Sequence, residues 1–122
     1  LRGDLSIDAP KSFLTSFLTE RDEACWHCGQ VEGLVLHHRQ NRGMGGRGKS
    51  LDRYENLIRV CPSYNMLMES DSKVAKQARE WGHKLGGWDT FDTPCFDVTE
   101  NRWYLLDEKG NKHATRERQS LF

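Results

Sequence analysis

The stretch LVLHHRQNRGMGGRGKS, Leu34 to Ser50, decides how this chain is read. Three apolar residues run into two adjacent histidines, and a glycine- and arginine-rich tract follows at once. In a regular strand neighbouring side chains point to opposite faces, so His37 and His38 could not share one site there. Their rings can converge only where the strand stops. We expect the strand to cover Leu34 to Leu36, with both histidines opening the loop. Gly43, Gly45, Gly46 and Gly48 then make a loop that neither helix nor strand would tolerate.

Upstream, Asp8-Ala9-Pro10 reads as a helix start, and Phe13, Leu14, Phe17 and Leu18 carry one apolar side of a helix running to about Asp22. CWHCG, Cys25 to Gly29, is a two-cysteine turn with glycine placed to tighten it. Downstream, Leu57, Ile58 and Val60 form a second strand that reaches Cys61. From about Ser63 to Leu85 the spacing of Leu67, Val74, Ala78, Trp81 and Leu85 predicts one helix ended by Gly86-Gly87. Pro94 to Val98 and Trp103 to Leu106 read as a hairpin turned by Thr99-Glu100-Asn101-Arg102. The tail after Gly110 is polar and is expected to be disordered. No repeat or low-complexity linker divides the 122 residues, so one α+β domain is expected, with a core over about 21–85 and a hairpin over about 93–107.

Charged residues make up 30% of the chain, and no run approaches the ~20 apolar residues of a membrane span. There is no signal-peptide pattern, and the first residue is Leu1, so a trimmed N-terminus and a cytoplasmic location are expected. Four cysteines without a secretion signal read as reduced thiols rather than two disulfides. The formal net charge of zero does not advertise a nucleic-acid binder, but its distribution is uneven. From His37 to Arg59, Arg39, Arg42, Arg47, Lys49, Arg53 and Arg59 face only Asp52 and Glu55. Such a patch is commonly a solvated face; beside a catalytic site it can hold a phosphate backbone.

Cys25-x2-Cys28 is a thiolate knuckle of the kind that binds zinc, and Cys61 is placed to meet it. Between them lie a strand, the histidine pair, a glycine loop and Asn56; just beyond lies Asn65. This order, CWHC, LVLHHR, GMGG, ENLIRVC and PSYN, with YNMLMES opening a helix, resembles the HNH endonucleases, most closely small phage-type members with a His-His-Arg strand end. The likeness runs from about Arg21 to Gly110. It implies a ββα-metal (HNH, His-Me finger) core carrying an N-terminal helix and a C-terminal hairpin. It also implies hydrolysis of DNA phosphodiester bonds, by nicking or double-strand cleavage.

On this resemblance His37 and Asn65 hold a catalytic Mg2+ or Mn2+ (Ni2+ or Co2+ being alternatives), and His38 is the general base. Asn56 holds the loop and orients the base, and Cys25, Cys28 and Cys61 hold a structural Zn2+. Arg39, Arg42, Arg47 and Lys49 would contact DNA phosphates. A phage protein of this type would work in the host cytoplasm, with DNA, a terminase or another phage protein as partner and no membrane. Taken singly, Asn56 reads as a turn cap and Asn65 as an ordinary residue near a helix N-terminus. His83 and His113 have no constellation and are expected in solvent; Trp81, Trp88 and Trp103 are expected in core or hairpin packing.

Two departures from the pattern matter. Tyr64 stands where the fourth zinc cysteine belongs, which leaves Cys95, His27 or loss of the metal as the alternatives. Asn65 stands where the family commonly has histidine, so the first shell is thin and neutral. The rival reading is a catalytically degenerate zinc-knuckle module that binds DNA or protein.

Overall fold

The computed structural model describes residues 18–40 and 51–116, which form a mixed α+β fold. Strand β1 (Val35–His38) pairs antiparallel with β2 (Leu57–Val60), Val35 opposite Val60 and His38 opposite Leu57. A single 3-10 turn, Tyr54–Asn56, leads into β2. The β1 strand extends two residues past the expected stop at Leu36 and takes in both histidines, because their backbones continue the ladder against Ile58 and Leu57.

Helix α1 (Pro62–Ser70) follows β2 directly. Pro62 supplies a preset φ at the first helical position, and the Cys61 thiol accepts the Tyr64 N–H as a cap. The single helix expected to Leu85 is broken at Asp71, whose backbone is extended and whose carboxylate accepts the N–H groups of Lys73 and Val74. Helix α2 (Ser72–Glu80) starts there and ends at Gly82 rather than at Gly86-Gly87. Gly82 has φ +75°, and a Cβ on it would collide with the Pro94 carbonyl oxygen, so the chain can turn this closely only without a side chain.

The second sheet is a meander of β3 (Cys95–Asp97), β4 (Arg102–Leu106) and β5 (Lys112–Thr115). The hairpin falls where the sequence puts it. The segment after Gly110 is, as far as Thr115, an ordered edge strand and not a disordered tail. Of the N-terminal helix, residues 18–21 are described and helical; the rest of that expectation lies outside the described residues.

One core joins the two sheets: Cys25, Trp26, Ile58, Val60, Tyr64, Met68, Ala78, Cys95, Tyr104 and Leu106 pack together. A buried ion pair fixes the helix at 18–21 to β2. Arg21 bonds both Asp22 oxygens (2.7 and 2.8 Å) and the Tyr54 carbonyl (2.9 Å), while Asp22 accepts the Arg59 N–H (3.1 Å). No helix among the described residues is long and apolar enough to cross a membrane.

Candidate functional site

The β1–β2 pair and α1 bring His37 and Asn65 together. His37 is buried, with Nε2 2.8 Å from the His83 carbonyl oxygen and Nδ1 3.1 Å from Asn65 Oδ1. A carbonyl oxygen only accepts, so Nε2 carries the proton and donates it there. Burial, outweighing the help of the His83 carbonyl and Asn65, lowers the His37 pKa to about 4, so the ring is neutral at neutral pH and Nδ1 is a bare lone pair. That lone pair faces the amide oxygen with no proton between them. Either the amide turns to present its Nδ2–H, or a cation sits between the two donors. A ligating histidine characteristically gives its other N–H to a backbone carbonyl, which is the arrangement here. Glu69 stands one turn after Asn65 on the same side of α1 and binds Lys84 at 3.1 Å; at His37 the Lys84 cation, which lowers the pKa, outweighs the Glu69 carboxylate, which raises it.

His38 does not converge with His37. They are successive residues of one paired strand, so their side chains leave on opposite faces, and they have different partners. This corrects the expectation that the pair leaves the sheet together. The His38 side chain is part-exposed, with Nε2 2.6 Å from Asp52 Oδ1. The carboxylate accepts the Nε2 proton, which in the neutral tautomer makes Nδ1 the acceptor. Asp52, counted in the sequence only as one of two acids diluting a basic patch, is thus the residue that orients this ring.

Asn56 has the other half of its expected role. It is fully buried; Oδ1 accepts the Gln40 N–H (2.8 Å), and Nδ2 donates to the carbonyls of Gln40 (3.1 Å) and Leu51 (2.9 Å). One amide thereby ties the residues on either side of 41–50. It makes no bond to His38 among those described.

Arg39 is a plain correction. It is completely buried and donates to three backbone carbonyls, of Gly82 (2.8 Å), Glu55 (2.9 Å) and Thr93 (2.6 Å), so it is no phosphate contact. Arg53 is paired with Glu55 and Arg59 bonds the Asp22 carbonyl. Arg42, Arg47 and Lys49 lie outside the described residues.

His83, expected in solvent, is fully buried. Its Nε2 donates to the Phe96 carbonyl (2.6 Å), and its Nδ1 accepts the Tyr64 hydroxyl (2.6 Å). Burial lowers its pKa to about 3 and pushes that of Tyr64 upward. His113 is exposed as expected and pairs with Asp107 at 2.6 Å. Trp81 and Trp103 pack around Phe96, but Trp88 is 99% exposed and packs against nothing in the core.

The sulfur atoms of Cys25, Cys28 and Cys61 lie within 4.8 Å of one another, a group that could hold a metal such as zinc. Neither Cys95 nor His27 joins it: Cys95 is buried in the core, and the His27 ring stacks flat on Tyr64 at 4.0 Å. Burial raises the Cys25 thiol. At Cys61 burial also pushes upward but is outweighed by the Tyr64 N–H, the Ser63 hydroxyl and the thiols of Cys28 and Cys25, so the net direction is down. In comparisons with known proteins the chain matches no family model, no curated protein and no solved structure.

Proposed function

We propose that this chain is a metal-dependent HNH-type endonuclease that hydrolyses DNA phosphodiester bonds, the β1–β2 pair and α1 acting as its ββα-metal core. The observation that carries the reading is the His37–Asn65 pair: two neutral donor atoms 3.1 Å apart, one ring already anchored through its other nitrogen. The donor set fits a divalent ion. A nitrogen and an amide oxygen suit Mn2+, Co2+ or Ni2+, with Mg2+ relying more on water and phosphate oxygens. When bound, the ion would stabilise negative charge on the scissile phosphate and the departing 3′ oxygen.

The chain's own residues do the rest. His38 takes a proton from the attacking water at Nδ1, with Asp52 holding the ring and stabilising the imidazolium that forms. This reading requires a phosphodiester to lie across the end of β1 at His38, meeting His37 from one face of the strand and His38 from the other. Asn56 keeps the two loop ends closed beneath it.

A second reading is a non-catalytic metal-knuckle module that binds DNA or protein. It is favoured by the same strand geometry, which separates the two imidazoles, and by the burial of Arg39. Nicking of supercoiled plasmid across Mg2+, Mn2+, Co2+ and Ni2+ separates the two. The nuclease reading expects cleavage by the wild type, and a loss of about 10²–10⁴-fold in His38→Ala with DNA binding retained. No cleavage by the wild type under any of these ions, with DNA still bound, supports the binding module.

A further inference from the structure

We propose that Cys25, Cys28 and Cys61 form a three-thiolate metal site whose fourth coordination position is open to an exchangeable external donor. The inference is independent of the nuclease reading. Zinc–sulfur bonds of about 2.3 Å put tetrahedral thiolates about 3.8 Å apart, a small contraction from the separations of up to 4.8 Å found here.

Backbone donors already point at two of the three sulfurs. The His27 and Cys61 N–H groups point at Cys25 Sγ (3.3 and 3.2 Å), and the Tyr64 N–H points at Cys61 Sγ (3.5 Å). Backbone donors of this kind stabilise negative sulfur.

Among the described residues, each candidate for the fourth ligand is engaged elsewhere. The Tyr64 hydroxyl is committed to His83, the His27 ring to the face of Tyr64, and Cys95 to the core between the sheets. No further histidine, cysteine or carboxylate among the described residues joins the group. Cys25 and Cys61 close the buried side, whereas Cys28 is exposed and the exposed Ser63 hydroxyl lies 3.6 Å from Cys61 Sγ. The open direction is therefore toward solvent. A closed four-ligand site is structural, whereas one that keeps a free position admits water or an incoming donor. The ligand class is a small soft or borderline donor, such as a thiol or an imidazole.

The test uses Co2+ as the probe in the full-length, metal-free, reduced chain. A thiolate-to-cobalt charge-transfer band should saturate at one equivalent and shift when imidazole is added; the His37 site, having no sulfur, is silent in this band. Cys95→Ser should leave both properties intact. Tyr64→Cys should raise the band toward that of a four-thiolate site and abolish its response to imidazole. A missing band, a wild-type band that ignores imidazole, or a band weakened by Cys95→Ser would overturn the proposal. If Tyr64→Cys fails to fold, the wild-type titration and Cys95→Ser still decide.

Discussion

At His38 the informative partner is a carboxylate that no sequence pattern singles out. Asp52 lies beyond the glycine tract and reads as a surface acid, yet it holds the His38 ring through Nε2. Replacing it by Asn keeps the shape and removes the charge. On the proposed nuclease reading, Asp52→Asn is expected to slow plasmid nicking, by less than the about 10²–10⁴-fold that a general base contributes, with DNA affinity retained. Full nicking activity in that variant would leave Asp52 a purely structural role. His37 and His83 carry a second prediction at this scale. Burial holds both folded-state pKa values, about 4 and about 3, below the ordinary 6.5. Below pH 6.5 the unfolded chain therefore takes up protons that the folded chain refuses, and stability falls with pH, from 6.5 down to about 4 for His37 and about 3 for His83. The loss is at most about 1.4 kcal/mol per pH unit for each ring. Urea unfolding of the metal-free protein at pH 7 and pH 5 should differ by about 2 kcal/mol per histidine. Equal stability at the two values would mean that the rings are solvated.

Between elements, Arg39 does the work that the sequence assigns to DNA. It joins the end of β1 to the turn after α2 and to the segment before β3, through bonds to three backbone carbonyls. Arg39→Leu should cost about 3 kcal/mol or more in denaturant unfolding. At an ionic strength where the variant is folded, it should leave the salt dependence of DNA binding as in the wild type, whereas loss of a true phosphate contact lowers that slope by about one. A reduced slope in Arg39→Leu would restore its assignment to the interface. The same distinction explains what was legible. Strands β1 to β4 show as apolar runs and the knuckle shows through spacing, whereas the Asn65 position is singled out only by the resemblance to the HNH endonucleases. The break at Asp71 does not, because a capping aspartate in a polar stretch looks like any exposed acid. Strand β5, Lys-His-Ala-Thr, has no apolar alternation because it is a solvated edge. Extension of β1 through His37 and His38 depends on pairing with Ile58 and Leu57, 21 and 19 positions away, which no local pattern encodes. The carbonyl of His83 reaches His37 across 46 residues and is equally invisible locally.

Across the whole molecule the two sheets are held as one body by a residue to which no special role falls in the sequence. Trp26, inside the knuckle, is 1% exposed, and its ring meets Tyr104 edge-on at 5.8 Å and His83 at 6.4 Å. Its backbone bridges the halves as well: its N–H donates to the Arg59 carbonyl at β2, and its carbonyl accepts the Val98 N–H just past β3. Cys25 and Cys61 clamp the same knuckle to the end of β2, so the thiol cluster and the indole act at one junction. Trp26→Ala should therefore cost about 3–5 kcal/mol, the range for emptying an aromatic site in a packed core. Trp88→Ala, removing an indole that touches no core, should stay within about 0.5 kcal/mol. The measurement is urea unfolding followed in parallel by far-UV circular dichroism and by tryptophan fluorescence. A single shared transition in the wild type, shifted strongly by the first substitution and hardly by the second, is the outcome that a common core requires. Two separate transitions in the wild type would mean that β1–β2–α1 and the C-terminal meander fold as independent halves, and that the junction at Trp26 does not couple them.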